Sequence, residues 1–266
     1  MVRIKTETPL TDVSHKEKQD TLLNNRKQDL GISIFLANIA PNKFLSQMAL
    51  QILDRQNSLL SVFLSEIRDI NIQNDRMRFR RNLERVGEIM AYEISKTFSY
   101  TTQTIETPIN PIDVHLPGQG IVIATILRAG LPFHQGFLNY FDQAENAFIS
   151  ARRAYNRSEE EMEVRFDSIY TPRLEGKALL LVDTMLATGS SLVVAYHELL
   201  AQGGAPAHTH IASVIASRQG IDHVEKTLAD EPVSLWTAAL DDRLTPTLYI
   251  DPGLGDAGDL AYGKKL

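Results

Sequence analysis

The chain has 266 residues, 43% hydrophobic and 23% charged, which suits one large globular domain with room for an added arm. A formal charge of −6 excludes a nucleic-acid binder that works through a broad basic face, and the lack of cysteine excludes disulfides and thiolate-held metals. MVRIKTETPL has no apolar core of signal-peptide length and ISIFLANIA is too short to span a bilayer, so the expectation is a soluble cytoplasmic protein without a nucleic-acid or membrane partner.

Residues 1–30 are polar, charged and aperiodic, and are expected to be flexible or loosely docked. Apolar clusters over 32–66, separated by PNK and DRQN, predict short helices forming an arm. The division expected is an N-terminal extension over 1–50 and a single domain over 51–266. Phe79, Leu83, Val86, Met90, Ile94 and Phe98 recur at spacings of three and four and predict a helix over 75–98 with one apolar face. The arm and this helix carry enough apolar area to predict a homodimer.

The pattern then changes. GIVIATIL at 120–127 is an apolar strand ended by Arg128, and Pro132 stands where a first helical turn tolerates it. NAFISARRA reads as a strand, and EMEVRFDSIY alternates as one half of an antiparallel ribbon. ALLLV at 178–182 is a wholly apolar strand. A helix follows with Leu192, Val193, Tyr196, Leu199 and Leu200 on one face, stopped by Gly203 and Gly204. HIASVIA, GIDHVEKTLA and VSLWTAAL read as strand, helix and strand. Apolar strands alternating with helices predict the α/β class, a parallel sheet covered by helices on both faces.

Ligands of such sheets bind beyond the carboxyl ends of the strands. Three stretches fall there: RAG at 128–130, DTMLATGSS at 183–191 and YIDPGLGDAGD at 249–259. The loop after Asp183 enters a helix near Gly189, so unpaired N–H groups and the positive end of the helix dipole point into it. Thr188, Ser190 and Ser191 add hydroxyl donors, which suits a phosphate monoester, and Asp183 suits ribose hydroxyls. The same residues also suit an ordinary strand end and helix cap. Arg128 can grip a diphosphate through paired hydrogen bonds, or face solvent. The glycine-rich 249–259 stretch reads as a ligand cover without regular helix or strand. His208 and His210 lack an evident third metal ligand, Trp236 reads as core, and the acidic run before Val164 reads as a solvated face. No GxxxxGK[ST] or G-x-S-x-G is present.

ILRAG, VDTMLATGSS and YIDPGLGDAGD, in this order, together with FRRNLERVGEIMAYEISKTF, resemble the uracil phosphoribosyltransferase family over roughly residues 55–266. The resemblance implies a phosphoribosyltransferase-like fold, with a helical N-terminal arm and a hood made by the ribbon and the C-terminal loop. It implies transfer of the phosphoribosyl group of 5-phosphoribosyl-1-diphosphate (PRPP) to N1 of uracil, with Mg²⁺ carried in by PRPP, in a homodimer. PRPP would be held by Arg128, Asp256 and the run Asp183, Thr184, Met185, Leu186, Ala187, Thr188, Gly189, Ser190 and Ser191. A second arginine of the family corresponds to Arg153, with Arg152 as the alternative. Ile250, Gly255, Asp256 and Ala257 would meet uracil. The catalytic roles would fall to Asp183, Asp256 and Arg128. Thr184 stands where the family usually has proline, and Ser190 where it has glycine. A non-catalytic binder of UMP or PRPP, or transfer to another base, are the alternatives.

Overall fold

The computed structural model describes residues 48–156 and 161–265, and between 152 and 166 the backbone path alone. The described residues belong to one compact unit, Gln47–Leu266. The expectations for residues 1–47 lie outside the described residues.

Seven strands form the main sheet: β1 (Ala49–Ile52), β4 (Ile121–Leu127), β5 (Glu145–Asn156), β6 (Glu161–Tyr170), β7 (Ala178–Leu186), β8 (His208–Ser217) and β9 (Val233–Asp241). Their spatial order is β1-β9-β8-β7-β4-β5-β6. Every pairing is parallel except that of β5 with β6, which is the expected antiparallel ribbon. The chain leaves β4 toward β5 on one side and leaves β7 toward β8 on the other, so a crevice opens at the carboxyl ends of β4 and β7.

The helices are α1 (Leu60–Arg68), α2 (Arg76–Ser95), α3 (Leu131–Leu138), α4 (Ser190–Gly203), α5 (Arg218–Thr227) and α6 (Ala257–Tyr262). Strand β7 shows why the sheet needs cover on both sides. Leu180 and Val182 point into a core shared with α1, α2 and α3, and Leu179 and Leu181 into a core shared with α4 and α5. Its apolar run is continuous because both faces are dry. Asp75 caps α2 by accepting a hydrogen bond from the Arg78 N–H at 3.0 Å. The predicted stripe from Phe79 to Phe98 is buried within the chain, each large side chain contributing roughly 1.5–3 kcal/mol. That face is therefore spent internally, and the case for a homodimer loses its support from this helix.

Three local expectations change. Residues 49–52 form a parallel edge strand on β9, where the arm was expected to be helical. Strand β7 does not end at Asp183: it stays paired with β8 through Leu186. The C-terminal stretch contains regular structure, since β11 (Ile250–Asp251) pairs with β10 (Arg243–Leu244) and Ala257–Tyr262 is helical. A further hairpin, β2 (Tyr100–Ile105) with β3 (Ile112–Pro117), has no counterpart in the sequence reading.

Candidate active site

A cleft of about 650 Å³ lies over the carboxyl ends of β4 and β7. All three stretches singled out in the sequence border it. Leu127, Arg128 and Ala129 come from the end of β4, residues 183–189 with Ser191 from β7 and its loop, and Gly255 through Gly258 from the C-terminal loop. The framework beneath is tied across the crevice: the Thr125 hydroxyl donates to the Val182 carbonyl at 3.1 Å.

The loop leaving β7 is held from below. Ser217, which caps α5, donates its hydroxyl to the Ala187 carbonyl at 2.6 Å and accepts from the Gly220 N–H at 2.9 Å. Gly189 turns the chain into α4 with φ of +79°, and a Cβ there would stand 2.8 Å from the Val224 side chain and 2.9 Å from the Gly220 carbonyl. Both the left-handed backbone and the tight approach require glycine. Beyond it, the first N–H groups of α4 have no helical partners, an arrangement suited to an anion. The Thr188 hydroxyl lies 3.4 Å from both the Ser190 N–H and the Ser190 hydroxyl.

The charged groups answer one another in the protein alone. The Asp183 carboxylate accepts from the Thr184 N–H at 2.7 Å, and the Thr184 hydroxyl, fully buried, lies 3.5 Å from the same oxygen. The Arg128 guanidinium, 41% exposed, lies 3.5 Å from Asp259 and 3.4 Å from the Gly263 carbonyl. One oxygen of Asp256 caps α6 through the Asp259 N–H at 2.9 Å, and the other lies 3.7 Å from the Lys265 ammonium. Arg80 on α2 secures the far end of α6, donating to the Ala261 carbonyl at 2.7 Å, with its guanidinium 5.8 Å from the centre of the Tyr262 ring. Burial raises the Tyr262 phenol pKa against the opposing influence of Arg80 and Arg128.

Ile250 and Ala257 border the cleft. Ser190 does not: it is exposed at the first turn of α4, while Ser191 behind it does line the cleft. Arg153 lies on β5 opposite Val164, and its side chain, like that of Arg152, lies outside the described residues; Ser150 and Ala151 of the same strand reach the cleft. Leu248, Tyr249 and Lys265 line the cleft and escaped the sequence reading. Tyr249 opens the quoted C-terminal stretch, which was the signal available for it. Lys265 carries none.

His210 is buried in the core and His208 is half-buried beside it. The Trp236 indole N–H donates to Nδ1 of His210 at 3.1 Å, and His208 pairs with the Ser234 hydroxyl at 2.8 Å.

A family model described as uracil phosphoribosyltransferase matches residues 54–264. A uracil phosphoribosyltransferase of Porphyromonas gingivalis is 51% identical over 214 residues, covering 80% of this chain and 98% of that protein. One from Methanothermobacter thermautotrophicus is 36% identical over 220 residues, covering 82% and 97%. Among solved structures, the AQ2163 protein of Aquifex aeolicus matches with a TM-score of 0.71 at 28% identity, covering 80% of this chain and 98% of that one.

Proposed function

We infer that the cleft carries out the reaction of the family to which the chain belongs, the uracil phosphoribosyltransferases. The protein is a transferase that passes the phosphoribosyl group of PRPP to uracil, giving UMP and diphosphate. One observation carries the assignment of residues: loops from β4, from β7 and from the C-terminus converge on one cleft at the topological switch of the sheet.

In this reading the 5-phosphate takes N–H groups of 188–191 and the hydroxyls of Thr188 and Ser191 at the start of α4. The ribose hydroxyls donate to Asp183. Arg128 leaves Asp259 for the diphosphate, to which its fork offers two parallel hydrogen bonds. Arg153 is the proposed second cation. The bond from C1 to the diphosphate oxygen breaks as the bond from C1 to N1 of uracil forms, and the N1 proton passes to the departing diphosphate. Charge that develops on the leaving group is stabilised by fixed donors, so alignment and electrostatics do the work and no protein nucleophile is required. Asp256 stands beside the reacting nitrogen with the oxygen that does not cap α6. Backbone groups of Ile250, Gly255 and Ala257 read the base edge.

Mg²⁺ belongs to the proposal as a companion of PRPP. Among the described residues no group of three or more His, Cys, Asp or Glu is placed to hold a metal ion. Asp183 and Asp256 offer hard oxygens at the cleft, which fits a cation held chiefly by phosphate and water. Its contribution when bound would be to offset the diphosphate charge.

A homodimer in the cytoplasm completes the reading. Leu59, Val62, Ile70 and Met77 are exposed apolar residues of the arm and of the first turn of α2, and a second copy would cover them. Sedimentation showing only a particle of about 29.8 kDa would overturn that part. No helix of the described residues is long and apolar enough to cross a membrane.

The deciding assay mixes protein, PRPP, Mg²⁺ and uracil and follows UMP, with adenine, hypoxanthine and orotate in parallel. UMP formed from uracil in preference to the other bases is the expected result. Thermal stabilisation by UMP or PRPP without turnover would make the protein a binder instead.

A further inference from the structure

A charged pair outside the cleft holds the loop assigned above to the base. Arg68 is the last residue of α1 and Asp241 the last of β9. Their side chains make two parallel hydrogen bonds, Nη1 to Oδ2 at 2.8 Å and Nη2 to Oδ1 at 2.9 Å. The same Nη1 donates to the Gly253 carbonyl at 2.9 Å, and the same Oδ2 accepts from the Gly253 N–H at 2.9 Å. Both backbone polar groups of one buried residue are thus committed to one ion pair. Gly253 lies two positions before Gly255 and three before Asp256, which border the cleft.

The pair is itself anchored. Asp241 is 8% exposed. Gln73, also buried, donates its amide to the carbonyls of Ile67 at 3.1 Å and Arg68 at 3.0 Å, fixing the end of α1 from which the guanidinium extends. A second carboxylate, Asp54, faces the pair; burial is the first cause of its raised pKa, with Asp241 adding to the rise and Arg68 opposing it. An ion pair buried for stability alone gains little over apolar packing of the same volume, because desolvation offsets the attraction. This one has a geometric use, since a planar fork bonded to a carboxylate and to a carbonyl fixes direction as well as distance.

We propose that Arg68 and Asp241 are positioning residues for the base: together they set the height and tilt of the Leu254–Ala257 backbone over the cleft, and so the fit of the nucleobase. The proposal rests on the reading of that loop as the reader of uracil. Neither residue touches substrate; they act through Gly253.

The test uses the full chain with Arg68→Lys, which keeps the charge and loses the fork, and Asp241→Asn, which keeps the shape and loses the charge. Amide hydrogen exchange at Leu254–Ala257 is compared with wild type, and KM is measured separately for uracil and PRPP. The expected result is exchange at least tenfold faster in that segment, KM for uracil raised tenfold or more, and KM for PRPP changed by less than threefold. Unchanged exchange in a folded variant overturns the positioning role. Faster exchange with both KM values rising alike, or with neither rising, overturns the link to the base. A wild-type protein that makes no UMP overturns the assigned reaction instead, and the exchange comparison still decides whether the pair holds the loop. Should Arg68→Lys not fold, Asp241→Asn carries the same comparison.

Discussion

Arg128 and Asp259 face each other at 3.5 Å, joining the end of β4 to the C-terminal helix across the mouth of the cleft. The pair is exposed and loosely spaced, so it adds about 0–1 kcal/mol to stability. In the proposed reading the pair holds the guanidinium where the diphosphate can claim it. Arg128→Ala should therefore shift the melting temperature by no more than a few degrees while raising KM for PRPP and the inhibition constant for diphosphate at least tenfold. Arg128→Lys should recover only part of that loss, because an ammonium lacks the fork. Steady-state kinetics with diphosphate as product inhibitor reads both effects.

Asp183→Asn tests the acid at the centre of the loop. The substitution keeps the hydrogen bond from the Thr184 N–H and removes the charge proposed to draw ribose hydroxyls. KM for PRPP should rise at least tenfold, with KM for uracil at saturating PRPP little changed and the far-ultraviolet circular dichroism unchanged. Normal PRPP affinity in this variant would remove Asp183 from the site.

The buried histidines predict a pH dependence of stability. His210 is 4% exposed, and burial first, then neighbouring His208, push its pKa down to about 3. In the unfolded chain it titrates near 6.5, so between about 6.5 and 3 the unfolded state binds more protons, and stability falls as pH falls. One such group gives a slope of up to about 1.4 kcal/mol per pH unit in that window. Urea unfolding at pH 7, 6 and 5 should show the loss, and His210→Gln should flatten it.

Helices α2 and α3 cross at Gly87 and Gly136. A Cβ on Gly136 would collide with the Glu84 carbonyl and stand 2.8 Å from the Glu88 nitrogen and 2.9 Å from the Gly87 Cα. Alanine gains up to about 1 kcal/mol over glycine in a helix, but overpacking against backbone costs about 1–3 kcal/mol or more. The clash should win, so Gly136→Ala should lower the urea midpoint. An unchanged midpoint would mean that the helices can part without cost.

Much of this was legible in the sequence wherever burial left a period. The stripe of α2, the two-faced run of β7 and the stop at Gly203–Gly204 could be read because one face, or both, is dry. The hairpin β2–β3 escaped because YTTQTI is exposed at every position and IDVHLP nearly so, leaving no alternation to see. Strand β7 was read as ending at Asp183 because an acid interrupts its apolar run, yet pairing with β8 carries it on to Leu186. The short α6 was missed because glycine and aspartate disguise it, and the aspartate proves to be its cap.

The sequence by itself determined the α/β class and the alternation of apolar strands and helices from β4 to β9, which periodicity, caps and turns write in neighbouring residues, and its short motifs carried the resemblance to the family. Only the tertiary structure decided which strand ends stand side by side. It set β7 beside β4, with Thr125 bonded to Val182 across 57 positions, and so made one cleft of three distant stretches. It also brought Arg68 to Asp241 across 173 positions and hung the C-terminal loop from the pair. Such contacts follow from how the sheet is ordered and which helix covers which face, choices made by the packing of the whole core and carried by no local pattern.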